Sequence, residues 1–280
     1  MLIDIDQRKT FLYTSNKKID AQRPSILFIH GAANDHSVWN THTRYFSSHG
    51  WNAIAVDLPG HNKTSGPVIS NIRESAEWIL KCLDQLDIAN TILVGHSMGS
   101  LIALESASLQ PHRITKLVLI GSCYPMPVSP QLLELAKSKP EQAYELINQY
   151  SFSDRAKLGT SQIPGLSMLG SSMQLMQRSA PGVLHADFTA CNSYDNGVHA
   201  ADRVSCPTLF LLGAEDKMTP VTGAENLIAH VKSNQVTVLP RTGHALMIEQ
   251  PNVVLDCLVD FVSELNNDGE LSEAARPKRK

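Results

Sequence analysis

Short, uninterrupted runs of apolar residues recur along the chain, separated by stretches with helical periodicity. A continuous run of this kind is typical of a strand that is buried on both faces of a sheet. The intervening segment Ile72 to Leu86 instead places its apolar residues on one helical face. Strands are predicted at Ser25–Ile29, Asn52–Val56, Thr91–Val94, Lys116–Ile120, Thr208–Leu212 and Gln235–Leu239. Alternating strands and helices predict an α/β fold, a parallel sheet with helices on both faces.

Two regions depart from this alternation. Residues 2 to 14 alternate apolar and polar in two short runs, which predicts an antiparallel hairpin at the edge of the sheet. Between about Cys123 and Ser205 there are helix-like stretches but no clear buried strand, over an interval too long for a simple loop. We therefore expect a helical cap at 123–205, inserted into a core formed by 1–122 and 206–266 and followed by a tail at 267–280.

Composition supports one globular unit with an insertion. The chain has 280 residues, of which 42% are hydrophobic and 18% charged, so it has enough apolar area for a buried sheet. The net charge is -3, and basic residues are scattered except at the last five positions. This pattern gives no electrostatic footprint for nucleic acid, and we assign the basic tail no function.

Cysteine usage and the N-terminus bear on the cellular compartment. The five cysteines are widely spaced and include no Cys-x-x-Cys pair, which argues against a disulfide framework and a zinc site. The N-terminus carries acids where a signal peptide needs an apolar run, and no stretch reaches ~18 uninterrupted apolar residues. We expect a soluble cytoplasmic protein without a membrane span or a bound metal, and the oligomeric state, a homodimer included, stays open.

The chemistry-bearing motif follows the strand Thr91–Val94. It reads Gly95-His-Ser-Met-Gly99 and leads into an apolar helical pattern. A serine with glycines two positions before and after, between a buried strand and a helix, is a nucleophile elbow. Side chains at the two glycine positions would collide with the packed strand and helix, and the turn exposes the hydroxyl at a helix N-terminus. We predict Ser97 as a nucleophile.

A serine hydroxyl needs a base to accept its proton and an acid to orient that base. His244 follows the last predicted strand and precedes the final helix, which is the position expected for the base. Asp216 lies just beyond the strand Thr208–Leu212 and gives the chain order serine, acid, histidine. The adjacent Glu215 is not excluded by spacing alone.

The oxyanion that forms at an attacked carbonyl needs backbone N–H donors. One expected donor is Met98, directly after the nucleophile, and the other is Ala32, in a loop that Gly31 allows to pass close to the site. The remaining residues expected to contact substrate are Gly31, Ala33, His96, Cys123, Tyr124, Met218 and Ala245.

Five segments resemble, in order and spacing, the capped α/β-hydrolases of the esterase and lipase group, over roughly residues 24 to 265. They are His30-Gly31, Asp57-Leu-Pro-Gly-His61, Gly95-His-Ser-Met-Gly99, Gly213-Ala-Glu-Asp216 and Gly243-His244. The resemblance implies an eight-stranded, mostly parallel sheet, a mechanism without a cofactor, and a substrate pocket between cap and core.

The resemblance also implies roles for single residues. It implies that His61 is a structural loop histidine. Asn62 and Ser100 stand where the family often has glycine, which is expected to reshape the pocket. We leave His36, like His96, as a candidate pocket residue.

The resemblance implies a carboxylesterase-type enzyme that cleaves an ester, or a related acyl bond, of a small apolar substrate. Ser97 attacks, His244 takes and returns the proton, and Asp216 fixes the imidazole. Serine at the elbow favours an acyl-enzyme over the chemistry of relatives with aspartate or cysteine there. Two alternatives stay open: a C–C bond hydrolase acting on ring-cleavage diketones, whose elbow usually has asparagine in place of His96, and a slow-turnover small-molecule receptor on the same fold.

Overall fold

One mixed sheet forms the centre of the protein in a computed structural model, which describes residues 1–159, 165 and 167–263. Its strands have the spatial order β1-β2-β4-β3-β5-β6-β7-β8. Their bounds are β1 (Leu2–Ile5), β2 (Arg8–Tyr13), β3 (Ser25–Ile29), β4 (Asn52–Val56), β5 (Thr91–His96), β6 (Ile114–Ile120), β7 (Thr208–Gly213) and β8 (Asn234–Leu239). The first two strands are antiparallel and the other six pair in parallel. The prediction of an eight-stranded, mostly parallel sheet is confirmed.

Helices cover both faces of this sheet. Their bounds are α1 (Asn40–Ser48), α2 (Ile72–Gln85), α3 (Met98–Leu109), α4 (Pro130–Ser138), α5 (Pro140–Ser151), α6 (Asp154–Lys157), α7 (Met168–Gln177), α8 (Val183–Ser193), α9 (Gly197–Arg203), α10 (Glu225–His230), α11 (Leu246–Glu249) and α12 (Pro251–Ser263). Helix α2 begins where Asn71 caps it by accepting a hydrogen bond from the N–H of Glu74. It buries its apolar face against the sheet.

Two apolar cores result, one on each face, because successive side chains of a buried strand point in opposite directions. On one face Leu27 and Leu93 pack with residues of α2 and α3. On the other face Phe28 and Val94 pack with residues of α1 and α12. The central strands are therefore buried on both sides, which explains their continuous apolar runs.

The chain between β6 and β7 forms helices in its described part. We call residues 123–205 the insertion. Its helices α4, α5, α7 and α8 share a small apolar cluster, in which Tyr144, Met176 and Phe188 pack around Ala33 of the core. Ser129, Ser153 and Ser167 each cap a helix of the insertion through the side-chain oxygen.

The carboxyl ends of the parallel strands meet at one edge of the sheet, where ligands bind in open α/β sheets. The segments that follow β3, β5, β7 and β8 carry Gly31, Ser97, Asp216 and His244. The expected tail at 267–280 lies outside the described residues. Within residues 1–159, 165 and 167–263, no helix has the length and apolar character to cross a membrane.

Candidate active site

Ser97 occupies the sharp turn between β5 and α3. Its backbone has φ 53° and ψ -122°, a conformation that is unfavourable for a residue with a side chain. A Cβ atom on Gly99 would lie 2.5 Å from the carbonyl oxygen of Ile29, and one on Gly95 would collide with the backbone of Gly99. The glycines on either side are therefore required by the close approach of strand and helix. Ser100 lies buried beneath this turn rather than in a pocket, with its Oγ 2.6 Å from the carbonyl oxygen of Ser97.

His244 and Asp216 form a hydrogen-bonded pair. Nδ1 of His244 lies 2.8 Å from Oδ2 of Asp216, and both side chains are buried. The other oxygen of Asp216, Oδ1, accepts the backbone N–H groups of Met218 and Thr219, each at 2.8 Å. Burial opposes ionisation of Asp216, but the charge of His244 and these hydrogen bonds outweigh it and lower the pKa of the carboxyl. The pair is thus built to keep Asp216 as a carboxylate.

Glu215, the neighbouring candidate, faces elsewhere. Its Oε2 accepts the backbone N–H of Asp154 in the insertion at 3.2 Å. The structure therefore places Asp216, and not Glu215, against the imidazole.

Thr219 joins the same pair, and the sequence reading did not select it. Its Oγ1 lies 2.7 Å from Oδ2 of Asp216, 3.0 Å from Nδ1 of His244 and 3.0 Å from the carbonyl oxygen of Gly121. A hydroxyl has one proton to donate and can also accept, so Thr219 fixes both the acid and the ring. The turn Asp-x-x-Thr after β7, in which the carboxylate binds its own backbone, is the signal that could have identified it.

His96 binds the backbone of the loop that carries His244, called the His244 loop below. Its Nε2 donates to the carbonyl oxygen of His244 at 2.9 Å, and the two rings lie 4.7 Å apart. Burial, with the nearby charge of His244, lowers the pKa of His96 to about 3. His96 is therefore a neutral donor throughout the ordinary pH range.

The His244 loop is also fastened to the insertion. The backbone N–H groups of His244 and Ala245 both donate to the carbonyl oxygen of Ser151, at 2.7 and 3.1 Å. Oε1 of Glu249 accepts the N–H of Gly243 at 2.9 Å, and its Oε2 accepts the hydroxyl of Ser153 at 2.5 Å. Burial raises the pKa of the Glu249 carboxyl, although these hydrogen bonds act in the opposite direction.

The loop after β3 approaches the nucleophile closely. A Cβ atom on Gly31 would lie 3.1 Å from that of Ser97, which explains glycine at this position. Within the described residues, the N–H of Ala32 has no hydrogen-bond acceptor. Met98 opens α3, where the first N–H groups have no partner within the helix. Both expected donors therefore have N–H groups free for a substrate oxygen.

A cavity with about 570 Å³ of empty space, part of it open to solvent, lies between the insertion and the core. Ser97 and His244 both line it, although within the described residues no hydrogen bond joins their side chains. Such contacts often tighten only when substrate is bound. Among the other sequence-predicted residues, those that line the cavity are Gly31, Ala32, His96, Met218 and Ala245.

Three residues expected to contact substrate do not line this cavity. Ala33 is fully buried beneath it. Cys123 is buried in the core beside Gly223, and Tyr124 packs against Gly197 and the ring of Tyr194. The lining residues that the sequence reading did not select are Asn34, Val38, Ile147, Ser151, Ser172, Met176, Phe188, Met247 and Ile248.

One group of side chains has ligand types suited to a metal ion. Ligand atoms of Asp35, His36 and Asp57 lie within 4.8 Å of one another and are buried. Protein donors already engage them: Oδ1 of Asp57 accepts from both the backbone and the ring of His36 at 2.8 Å, and Arg178 lies 3.1 Å from Oδ2 of Asp35. His36 thus serves the packing of this loop and does not line the cavity.

Comparison with known proteins is consistent across sequence and structure. The family model described as the alpha/beta hydrolase fold matches residues 24–251. Monoacylglycerol lipase ABHD6 of Rattus norvegicus is 23% identical over 267 residues, which cover 88% of this chain and 77% of that protein. A putative esterase/lipase of Haemophilus influenzae is 24% identical over 254 residues, covering 86% and 84%.

Solved structures show the same architecture. A thermophilic esterase superposes with a TM-score of 0.77 at 24% identity, covering 94% of this chain and 96% of its own. The enol-lactonase of Burkholderia xenovorans superposes with a TM-score of 0.82 at 17% identity, covering 94% and 100%. At these identities the likeness concerns the fold.

Proposed function

This chain belongs to the alpha/beta hydrolase family, and from that premise we propose that it is a serine hydrolase that cleaves a carboxylic ester of a small, uncharged substrate. The observation that carries the proposal is the hydrogen-bonded Asp216–His244 pair beside Ser97 in one cavity. Esterases and lipases among its relatives agree with this reaction type.

In the proposed reaction, Oγ of Ser97 attacks the ester carbonyl carbon while Nε2 of His244 takes the hydroxyl proton. Nε2 is the basic nitrogen because Nδ1 keeps its proton in the hydrogen bond to Asp216. The carbonyl oxygen becomes an oxyanion, which the N–H groups of Ala32 and Met98 stabilise.

The second half of the cycle returns the proton. The tetrahedral intermediate collapses, the C–O bond to the alcohol breaks, and His244 gives its proton to the leaving oxygen. Water then attacks the acyl-enzyme in the same way, releasing the carboxylic acid and restoring Ser97. The carboxylate of Asp216 stabilises the imidazolium in both halves.

The cavity supports an uncharged substrate. Among the described residues that line it, none is a lysine, arginine, aspartate or glutamate. Ile147, Met176 and Phe188 of the insertion, with Met247 and Ile248 of the core, supply apolar surface. Burying an unpaired carboxylate or ammonium group there would cost far more than burying an apolar one.

A serine-directed fluorophosphonate probe tests the nucleophile. We expect the wild type to be labelled and Ser97→Ala to lose both the label and ester hydrolysis, by as much as ~10^6-fold if the three residues act as a unit. Ser172→Ala, which removes another hydroxyl from the same cavity, keeps the label. Equal labelling of the wild type and Ser97→Ala would contradict the mechanism.

Product analysis tests the bond that is cleaved. A short-chain aryl ester and a vinylogous diketone are supplied separately, and the released products are identified. We expect release of the phenol from the ester and an intact diketone. Turnover of the diketone with an inert ester would instead establish C–C bond hydrolysis.

A further inference from the structure

Ala33, the residue after the proposed oxyanion donor, is held by the insertion on both sides of its backbone. Its N–H donates to Oδ2 of Asp187 at 2.8 Å, and its carbonyl oxygen accepts the hydroxyl of Ser179 at 3.1 Å. Ala33 is fully buried and has φ 52°, in the left-handed region. Residues with a Cβ atom keep that conformation only where the surroundings impose it. Here the surroundings include two side chains of the insertion.

The hydrogen bond to Asp187 is the stronger of the two that hold Ala33. Its Oδ2 also accepts from Nε2 of His61 at 2.9 Å, and its side chain is 1% exposed. Within the described residues, its other oxygen has no hydrogen-bond partner. The polar interactions of this buried carboxylate therefore converge on one oxygen, which joins the loop of Ala33 to the loop of His61.

The hydrogen bonds of His61 define its charge. Nε2 faces the carboxylate of Asp187, and Nδ1 lies 3.1 Å from the carbonyl oxygen of Pro59. Both partners can only accept, so both ring nitrogens carry protons and the ring is a cation. Burial opposes this charge, but Asp187 outweighs it and raises the pKa of His61.

The neighbouring histidine has the opposite state. Nδ1 of His30 donates to the carbonyl oxygen of Gly31 at 2.8 Å, and its Nε2 accepts the N–H of Leu58 at 3.1 Å. His30 is therefore neutral, and it packs 4.8 Å from the ring of His61. Asp187 thus faces one buried cation, and their hydrogen bond is charge-assisted.

We propose that Asp187 is a positioning residue for the oxyanion site: it holds Ala33 in the left-handed conformation that sets the direction of the Ala32 N–H. Docking of the insertion then completes the catalytic machinery in addition to covering the cavity. The inference rests on the proposed function, since it takes the Ala32 N–H as an oxyanion donor.

Loss of the Asp187 carboxylate frees the N–H of Ala33 and removes the partner of a buried cation. The peptide unit between Ala32 and Ala33 can then relax toward ordinary backbone angles, which redirects the adjacent N–H of Ala32. An oxyanion donor contributes chiefly in the transition state, so its displacement lowers kcat and leaves KM almost unchanged.

Glu105 supplies a matched control. Its side chain is likewise fully buried, and it joins the core to the insertion by accepting from the hydroxyl of Tyr194 at 2.6 Å and from Nδ2 of Asn196 at 2.9 Å. It lies on α3, two helical turns beyond the elbow, and does not line the cavity. A variant of Glu105 therefore removes a buried link of the same kind without touching the oxyanion loop.

The experiment measures kcat and KM for p-nitrophenyl acetate, well below each protein's Tm. For Asp187→Ala we expect kcat to fall by about 10- to 100-fold with KM within about threefold, the size expected when a donor is misplaced rather than lost. Fluorophosphonate labelling slows in parallel, because the phosphonyl oxygen uses the same donors. For Glu105→Ala, kcat stays within about threefold of the wild type, since the triad and its donors are intact.

Asp187→Asn is the conservative variant, because its amide oxygen can still accept from Ala33. We expect kcat between those of the wild type and Asp187→Ala, about three- to tenfold below the wild type. If Asp187→Ala does not fold, the test compares the kcat of Asp187→Asn with that of Glu105→Gln. Equal kcat in the matched Asp187 and Glu105 variants would overturn the positioning role.

The two proposals fail in different ways. If the wild type is not labelled by the fluorophosphonate and does not cleave the aryl ester, both proposals are wrong. If the wild type is labelled and active but the Asp187 variants have the same kcat as the matched Glu105 variants, only the positioning role is wrong.

Discussion

Nδ1 of His244 lies 2.8 Å from Oδ2 of Asp216, whereas the adjacent Glu215 accepts a backbone N–H from the insertion. The two adjacent carboxylates thus have different partners. In the turn that follows β7, only the side chain of Asp216 points toward the imidazole. The pairing requires a particular turn: the backbone N–H groups of Met218 and Thr219 hold the opposite oxygen of Asp216.

Replacing each carboxylate by its amide separates these tasks. We expect Asp216→Asn to lower kcat by about 10^4-fold, because an amide stabilises the wrong tautomer of the imidazole. Glu215→Gln keeps an oxygen that can accept from Asp154 and leaves kcat within about threefold. Steady-state kinetics with an aryl ester measure both, and the reverse order of effects would transfer the role to Glu215.

Thr219 is expected to hold the acid and the base in register. Thr219→Val keeps the shape of the side chain but removes the hydroxyl that contacts Asp216 and His244, so we expect kcat to fall by about three- to tenfold. Thr222→Val, at an exposed position on the next turn, is the control and leaves kcat unchanged. Equal kcat values for the two variants would show that the Thr219 hydroxyl has no part in the reaction.

Buried neutral histidines are expected to make the fold sensitive to acid. Burial lowers the pKa of His30 and His96 to about 3 and that of His42 to about 4, against 6.5 for an unperturbed ring. Below about pH 6.5 the unfolded chain therefore binds more protons than the folded chain. The free energy of unfolding contributed by these rings is fully present above about pH 6.5 and is lost as the pH falls. Each ring contributes up to ~1.4 kcal/mol per pH unit to the slope.

Urea unfolding at pH 5, 6 and 7 measures this slope. His96→Gln retains an N–H for the carbonyl oxygen of His244 but cannot take up a proton. We expect the free energy of unfolding of the variant to fall less steeply below pH 6.5 than that of the wild type. Parallel slopes would contradict the assignment of a neutral, buried His96.

The apolar lining predicts selection against charged acyl groups. We expect kcat/KM for p-nitrophenyl butyrate to exceed that for mono-p-nitrophenyl succinate, whose acyl chain ends in a carboxylate, by at least ~10-fold. Ile147→Lys, which adds a positive charge to the lining, narrows this ratio, and Ile147→Gln serves as the uncharged control. A preference of the wild type for the succinate ester would contradict the proposed substrate class.

Much of the fold follows from local patterns. The apolar runs of β3, β4, β5, β6 and β7 form strands that are almost entirely buried, and a pattern of that kind needs no knowledge of partners. The last predicted strand, β8, lies at the edge of the sheet, and its side chains are mostly exposed. Bounds differ by one or two residues at β5, β6, β7 and β8, since pairing with a neighbour extends a strand past its apolar run.

The chemistry-bearing segments are equally local. Gly95, Ser97 and Gly99 form a motif of five positions that is recognisable in sequence, although the backbone that excludes a side chain at Gly99 belongs to Ile29 and His30 at the end of β3. Thr219 and Glu249 are different, because their roles depend on which loops meet at the edge of the sheet. The lining face of the insertion, with Ile147, Met176 and Phe188, depends on how its helices dock, and helical periodicity alone does not fix that rotation.

The carbonyl oxygen of Ser151 accepts two N–H groups from the loop of His244. This contact makes the insertion a poor candidate for exchange as an independent module. The acceptor is a main-chain carbonyl, so a chimaera that takes residues 123–205 from a relative keeps it only if the new segment follows the same backbone path beside the loop of the general base. We therefore expect replacement of single cavity-facing side chains to disturb the loop of His244 less than replacement of the whole segment.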